Sequence, residues 1–190
     1  MKIPMLLSPV LSVWVLAVTP GCSQTPATPP SSPSAAIPSP SVTRTLGTGP
    51  LDHAQPKLPT VKLWLGSLEL ETEVASKEVE IYTGMMFREK MAETEGMIFV
   101  LPGPPQKASF YMRNTKVALS AAYIDPDGKI LEIHNLNPLD ESPVESMTED
   151  IKYVLEVPQG WFQRHNIAVS AILRTEKGSL KETFYGRTVK

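Results

Sequence analysis

The chain has 190 residues, which is enough for one domain of moderate size together with additional segments. Its formal net charge is −2 at pH 7, so it lacks the strongly positive balance that would favour a nucleic-acid partner. The one cysteine, Cys22, excludes a disulfide within the chain.

Residues 1–21 are predicted to be an export signal. Lys2 supplies a short positive region, and the apolar run from Met5 to Val18 is shorter than the ~20 residues needed to span a membrane. The next residues, Thr19-Pro20-Gly21-Cys22, resemble a bacterial lipobox, although Leu and Ala or Ser are usual where Thr19 and Pro20 stand. This predicts lipidation of Cys22 and membrane anchoring on the periplasmic or extracellular side. The alternative is a cleaved signal with an incidental thiol.

Residues 22–60 are predicted to form a disordered tether rich in Pro, Ser and Thr. Nine prolines occur between residues 23 and 60, and large apolar side chains are scarce there. Such a composition cannot bury enough apolar surface to offset the conformational entropy lost on folding. The folded domain is therefore expected at residues 61–188.

Two strands are predicted at the start of this domain, because apolar residues alternate with polar ones from Val61 to Leu65 and from Leu68 to Val74. Gly66-Ser67 predicts a tight hairpin between them. Helical spacing of apolar residues predicts a short helix over residues 76–86, with Ser76 as its N-cap. A continuous apolar run then predicts a buried strand over residues 96–101.

Two further strands, 108–112 and 117–124, are predicted on either side of a polar insert. Asp125-Pro126-Asp127-Gly128 has the residue types of a type I turn, which predicts a hairpin from 117–124 to a strand over 129–134.

In the last part of the chain, strands are predicted over 152–157, 167–173 and 180–185. A single helical turn is predicted over 159–165, ending at Asn166, a residue type that accepts a left-handed conformation. Many short strands with one or two short helices predict a mainly β domain, a single β-sandwich or flattened barrel at the margin of the α+β class.

Five short motifs follow one another along most of residues 70–172. They are Gly84-Met85-Met86-Phe87-Arg88, Gly96-Met97-Ile98-Phe99, Phe110-Tyr111-Met112-Arg113-Asn114-Thr115, Asp125-Pro126-Asp127-Gly128 and Tyr153-Val154-Leu155-Glu156. Their order and spacing resemble those of the DUF192 (UPF0127) family. The resemblance implies a mainly β domain in which a short helix lies against the sheets, and the activity of the family is itself poorly defined.

Two positions depart from the family pattern, and both lose a carboxylate. Ser120 stands where the family has Asp after Leu119, and Ser170-Ala171 replaces an expected Gly-Asp. A serine hydroxyl cannot take over proton transfer near neutrality. The departures therefore favour a protein without catalytic activity, and no catalytic residue is assigned.

The polar insert is the predicted ligand site, for a small polar or anionic molecule. Its side chains offer a fixed positive charge, an amide and a hydroxyl, and a second arginine supplies a planar donor suited to carboxylate or phosphate. The structural alternative is that the insert shapes a loop and that Arg88 pairs with Glu156 or another acid. The candidate residues are Arg88, Met112, Arg113, Asn114, Thr115 and Glu156.

Neither a cofactor nor a metal is predicted. His53 lies in the predicted tether, and His134 and His165 are isolated in the sequence. Asp125 and Asp127 match only part of a calcium loop and are interpreted as turn residues.

The leading hypothesis is an exported, monomeric lipoprotein whose domain binds a small ligand or an envelope component without catalysis. One alternative is a hydrolase of an envelope or polyanionic substrate that acts through Arg88, Arg113, Asn114 and Glu156. Another is a structural, partner-binding domain with an exposed apolar patch around Trp161 and Phe162.

Overall fold

A computed structural model describes residues 49–186 of the chain. The predicted export signal, Cys22 and the tether up to residue 48 lie outside the described residues. The elements are β1 (Thr60–Leu65), β2 (Leu68–Ala75), α1 (Glu78–Thr83), β3 (Glu95–Val100), β4 (Ser109–Phe110), β5 (Leu119–Ile124), β6 (Ile130–Leu136), β7 (Val144–Glu145), β8 (Tyr153–Pro158), α2 (Trp161–Arg164), β9 (Leu173–Thr175), β10 (Gly178–Ser179) and α3 (Leu180–Tyr185).

The predicted mainly β class is confirmed. Eight strands form one sheet, curled into a half-barrel, in the order β10-β9-β1-β2-β3-β8-β5-β6. All neighbouring strands in this sheet are antiparallel except β2 and β3, which are parallel and joined through α1. A parallel pair needs such a crossover, because its strands run in the same direction. The short strands β4 and β7 pair separately.

Both predicted hairpins are confirmed. Leu65 of β1 pairs with Leu68 of β2 across the Gly66-Ser67 turn. In the second turn, the Gly128 N–H donates to the Asp125 carbonyl at 3.1 Å, and β5 pairs with β6 on either side of it. The hairpins account for one edge and part of the centre of the sheet.

The two faces of the sheet carry two separate apolar clusters. The first cluster lies on the face covered by α2 and α3, and includes Leu63, Ile124 and Leu155. The second lies on the face covered by α1 and by the irregular segment 101–118, and includes Met97 and Phe99. Because side chains alternate along a strand, β8 contributes to both clusters. The second cluster lies beneath the candidate site.

Trp161 and Phe162 belong to the first cluster and are almost wholly buried. The indole Nε1–H of Trp161 donates to the Glu93 carbonyl at 2.9 Å, which satisfies its only polar group. The predicted exposed patch around these two residues is therefore wrong. They anchor α2 in the interior instead.

Two predicted strands near the end of the chain are also wrong. Residues 180–185 form α3, because Ser179 caps a helix: its Oγ accepts from the Glu182 N–H at 3.1 Å. Most of the segment 167–173 is irregular, with strand structure confined to Leu173–Thr175. The left-handed conformation predicted for Asn166 is confirmed, with φ of 55°.

The first predicted helix is shorter than expected. It begins after Lys77, not at Ser76, and ends at Gly84, where φ is 46°. The strand expected over 108–112 is reduced to Ser109–Phe110.

The structure places residues 49–59, which the sequence assigns to the tether, against the domain. We call this segment the strap. The Leu51 N–H donates to Thr83 Oγ1 at 2.9 Å, and the Gln55 side-chain amide donates to the Gly84 carbonyl at 2.8 Å. Leu58 packs against the second cluster. The strap thus contacts the end of α1.

Candidate functional site

A cavity of about 580 Å³ opens above the second cluster. Its walls are α1 with the turn that follows it, the end of β3, and the irregular segment 102–111. Most of its lining is apolar or aromatic, which is usual for cavities that hold small molecules. Two of the six predicted ligand residues, Thr115 and Glu156, are among the residues that line it.

The carboxyl group of Glu156 is the most unusual feature of the cavity. Glu156 is only 4% exposed, and its Oε2 has no hydrogen-bond partner among the described residues. A buried polar atom without a partner costs free energy, so native proteins contain few of them. An unpaired carboxyl oxygen in a cavity wall is therefore a candidate contact for a ligand.

The register of the sheet explains this environment. Glu156 lies in the middle of β8, opposite Met97 of β3 and Ala121 of β5. Neither neighbour offers a hydrogen-bond donor in its side chain. Since Val154, two residues before, belongs to the second cluster, the Glu156 side chain points to the same face.

Burial raises the pKa of Glu156 to about 8, because the charged form is removed from water. The carboxyl group is therefore mostly protonated at pH 7. The nearby Tyr123 also has a raised pKa, first through burial and then through the charges of Glu156 and Glu132. Its hydroxyl donates to the Val144 carbonyl at 2.5 Å.

Aromatic rings form much of the cavity wall. Phe99 and Phe110 pack edge to face, with ring centroids 5.0 Å apart. Tyr82 and Tyr111 line the more exposed part of the cavity. These rings surround the opening with apolar surface that also attracts cations.

Gly84 makes room for this arrangement. A Cβ atom at this position would lie 3.3 Å from the Phe99 ring, and the positive φ favours glycine. The absence of a side chain at Gly84 therefore lets the Phe99 ring approach the backbone closely.

Two family motifs meet beside the cavity through their backbones. The Phe87 N–H donates to the Asn114 carbonyl at 2.8 Å, and both residues have positive φ. Next to them, the Thr115 N–H donates to the Met112 carbonyl at 3.0 Å. The first bond joins the turn after α1 to the polar insert, and the second closes a turn at the insert itself. Together these turns place Met86 and Thr115 in the cavity wall.

Arg88 pairs with an acid, as the structural alternative predicted, but that acid is Glu73 and not Glu156. Its guanidinium donates to both carboxylate oxygens of Glu73, at 2.5 and 2.8 Å. Lys116 of the polar insert and Glu89, next to Arg88, form a further, exposed ion pair at 3.1 Å. Arg88 therefore acts in the structure as a clamp between β2 and the turn after α1.

The remaining candidates also lie outside the cavity lining. Met112 is buried in the second cluster. The Arg113 guanidinium lies 5.4 Å from the centre of the Tyr111 ring. Asn114 contributes the backbone contact described above. Of the six predicted ligand residues, only Thr115 and Glu156 are thus among the described residues that line the cavity.

The positions that depart from the family pattern are also remote from the cavity lining. The Ser120 hydroxyl donates to Asn135 Oδ1 at 2.7 Å and accepts from the Gly160 N–H at 2.9 Å. Because its neighbours Leu119 and Ala121 belong to the second cluster, Ser120 points to the opposite face. Ser170 is exposed and has a φ of 75°. The loss of carboxylates at these positions does not alter the cavity.

Sequence reasoning missed most of the cavity residues. Met85, Met86, Phe99 and Phe110 all lie within the family motifs, but none of them was predicted as a site residue. Glu156 interrupts the apolar run of β8, and this could have indicated a buried acid. Nothing in the sequence indicated that Gln106 and Lys107 would line the same cavity.

Within residues 49–186, no group of three or more His, Cys, Asp and Glu residues is arranged to hold a metal ion. The described helices are all too short to cross a membrane.

The fold and cavity define a small curled-sheet domain with a buried acid beneath an aromatic opening. The chain belongs to the DUF192 family, described as "Uncharacterized ACR", whose model matches residues 61–175.

Two solved structures are similar to this chain. One is a Sinorhizobium meliloti 1021 protein described as a "putative transcription regulator", with 28% identity and a TM-score of 0.59; the match covers 64% of this chain and 97% of that one. The other is a protein of unknown function from Novosphingobium aromaticivorans DSM 12444, with 30% identity and a TM-score of 0.58, covering 62% and 86%. A comparison with curated proteins gave no match.

Proposed function

We propose that the domain is a non-catalytic binding module that holds a small amphipathic molecule in the cavity, with the polar end of that molecule at Glu156. The observation that carries this proposal is the Glu156 Oε2 atom, which is buried in the cavity wall and has no partner among the described residues. A ligand that hydrogen-bonds this atom would remove the cost of leaving it unpaired.

The size and lining of the cavity agree with this proposal. A volume of about 580 Å³ lies within the range of known small-molecule sites. The apolar body of a ligand would contact Met85, Met86 and Phe99, while its polar group reached Glu156. Thr115 offers a second polar contact from the wall.

An anionic ligand is less well supported than a neutral or cationic one. The sequence suggested an anion through Arg88 and Arg113, but Arg88 is paired with Glu73. Lys107, which lines the cavity, is paired with Glu145 at 3.0 Å. The described lining therefore offers an anion no unpaired cationic side chain.

A fragment screen by thermal unfolding of the full-length chain tests the proposal. A ligand at 100 times its Kd should stabilise the fold by about 2.7 kcal/mol. Fragments that bind wild type should bind Glu156→Gln more weakly, and should bind Glu149→Gln, at an exposed position, as they bind wild type. The absence of any fragment that depends on Glu156 would count against the proposal.

Hydrolysis remains a second candidate because the pKa of Glu156, about 8, suits a group that donates and accepts protons near neutral pH. Its weakness is that Arg88 and Arg113, predicted to share the site, are not among the described residues that line the cavity. A hydrolase would lose turnover in Glu156→Gln while its substrate still bound. A binding module would lose binding.

The cellular setting forms part of the same proposal. We infer that the chain is exported, lipidated at Cys22 and held as a monomer on the outer side of a bacterial membrane. Support comes from the apolar run and the lipobox-like residues that precede Cys22. Labelled palmitate should enter the wild-type chain and not Cys22→Ser. A lipid-free wild-type protein in the cytosolic fraction would contradict it.

A further inference from the structure

We propose that the ligand of the cavity is a small organic ammonium ion that carries an apolar group. The inference rests on the proposed function, which places a ligand's polar end at Glu156, and it specifies the charge of that end. Three observations carry it: the buried, unpaired carboxyl oxygen of Glu156, the aromatic lining, and the balance of charges around the cavity.

The buried acid is suited to a cation because no cation of the domain already occupies it. Among the described residues, Oε2 of Glu156 has no hydrogen-bond partner, although the side chain is only 4% exposed. The other deeply buried acids behave differently. Glu73 is paired with Arg88, and Glu132 accepts from the Met147 N–H and contacts His134. Glu156 thus has a carboxyl oxygen that is open to a hydrogen bond or ion pair with a ligand.

The aromatic lining is the second observation. Ring faces attract cations electrostatically, and rings around a carboxylate are a common arrangement for binding ammonium groups. One lining ring, that of Tyr111, already lies near a cation, because the Arg113 guanidinium is 5.4 Å from its centre. The rings that line the cavity are Tyr82, Phe99, Phe110 and Tyr111.

The charge balance around the cavity is the third observation. Its lining contains two acids, Glu78 and Glu156, and one base, Lys107. Lys107 is paired with Glu145, so its charge is already compensated. The lining therefore offers a carboxylate ligand no unpaired cationic side chain, whereas Glu78 and, once ionised, Glu156 favour a positive ligand.

Ionisation of Glu156 does not prevent this binding. With a pKa of about 8, the carboxyl group at pH 7 must release its proton to form an ion pair, which weakens binding by a factor of about ten. A buried, hydrogen-bonded ion pair compensates for this loss. Binding should then release nearly one proton at pH 7 and tighten as the pH rises to about 8.

Other titratable groups face the same region, and they must be separated from Glu156 in any test. Of these, Glu78 is the main competitor for a cation, because it also lines the cavity, has the same side chain and is exposed. The groups are Glu78 and Tyr82 from α1, Lys107 and Tyr111 from the irregular segment, Tyr123 from β5, and Glu132 and His134 from β6.

The test compares three probes with the same six-carbon chain: hexylammonium, 1-hexanol and hexanoate. Their affinities for the full-length chain are measured by titration calorimetry at pH 7. We expect hexylammonium to bind at least about ten times more tightly than hexanol, and hexanoate to bind most weakly. Glu156→Gln should abolish the preference for hexylammonium. Glu149→Gln, at an exposed position outside the cavity lining, should change it less than about threefold.

A second measurement is independent of variants. Wild type is titrated with hexylammonium in two buffers of different ionisation enthalpy, and the difference gives the protons released. Release of about one proton per bound ligand supports ionisation of Glu156 on binding. Release of almost none overturns the inference.

The outcomes separate the two proposals. If hexanol binds as tightly as hexylammonium and Glu156→Gln weakens both, the cation inference fails and the proposed function stands. A preference that disappears in Glu78→Gln and persists in Glu156→Gln also overturns the inference. If none of the three probes binds, both proposals fail.

Discussion

The guanidinium of Arg88 and the carboxylate of Glu73 form a two-point ion pair, with nitrogen–oxygen distances of 2.5 and 2.8 Å. The Leu58 N–H of the strap donates to the same carboxylate at 2.7 Å. Burial raises the pKa of Glu73, but hydrogen bonds from Arg88 and Leu58 outweigh this effect and hold the pKa below its usual value. One carboxylate thus joins β2, the strap and the turn that carries the cavity wall.

Replacing Arg88 with alanine should lower the free energy of unfolding by about 3 kcal/mol, because it leaves the mostly buried Glu73 carboxylate without its charged partner. The loss should be greatest above the unfolded pKa of the carboxyl group. It should diminish as the pH falls through the lower, folded value, where Glu73 becomes protonated. Urea unfolding of wild type and Arg88→Ala from pH 3 to pH 7 measures both effects.

The matched control is Lys116→Ala, which removes the exposed ion pair with Glu89. Pairs of this kind contribute about 0.5 kcal/mol or less. If Arg88→Ala proved as stable as Lys116→Ala at pH 7, the pair with Glu73 would not be the clamp described above.

Glu156 should make the domain less stable as the pH rises. Its folded pKa, about 8, lies above its unfolded value near 4.5, so between these values the folded state holds a proton that the unfolded state has lost. The free energy of unfolding should therefore fall with increasing pH, by at most about 1.4 kcal/mol per pH unit. It should level off above about pH 8. Chemical unfolding at intervals from pH 5 to pH 9 measures the slope.

Glu156→Gln should remove this slope and should be more stable than wild type at pH 9, since glutamine has no charge to bury. Glu149→Gln, at an exposed position, should retain the wild-type slope. A steep pH dependence that persists in Glu156→Gln would assign the effect to another group.

The sequence was sufficient for the parts of the fold that depend on local patterns. Alternation and turn residues predicted the hairpins at Gly66 and Asp125, because both signals are contained in a few consecutive residues. The same reasoning failed for residues 180–185. There, the turn residues Glu176-Lys177-Gly178 suggested that a strand follows, while the Ser179–Glu182 capping box, which determines the helix, was overlooked.

The site was less predictable, because it depends on contacts between distant segments. The sequence placed Arg88 and the 112–115 insert together, and the Phe87–Asn114 hydrogen bond shows that these segments do meet. It could not show that the Arg88 side chain turns to Glu73 in β2. Nor could it show that Glu156 stays unpaired, since that depends on the register that places Met97 and Ala121 beside it.

Removal of the strap should lower the free energy of unfolding of the domain. A chain that begins at residue 60 loses the Gln55 hydrogen bonds to the Glu80 and Gly84 carbonyls and the Leu58 bond to Glu73. It also loses the Leu51 bond to Thr83 and the bond from the Val74 N–H to the Pro59 carbonyl. Each such bond contributes about 1 kcal/mol, so the loss should be about 5 kcal/mol. Thermal and urea unfolding of this chain and of one that begins at residue 49 make the comparison.

Gln55→Ala in the full-length chain isolates the largest of these contributions and should cost about 1–2 kcal/mol. The control is Gln163→Ala, at an exposed position in α2, which should change stability by less than about 0.5 kcal/mol. Equal stability of the chains that begin at residues 49 and 60 would mean that the strap contacts contribute nothing to folding.

Ser179→Ala should destabilise α3 by about 1 kcal/mol, because it removes the side-chain oxygen that accepts from the Glu182 N–H. Ser179→Asp should retain most of the stability, since aspartate caps helices comparably well. The effect should extend to the first apolar cluster, because Leu180, in the first turn of α3, is fully buried there. Hydrogen exchange of the α3 amides, measured beside urea unfolding, separates local opening from global loss. Unchanged exchange in Ser179→Ala would show that burial of Leu180, and not the cap, holds this helix in place.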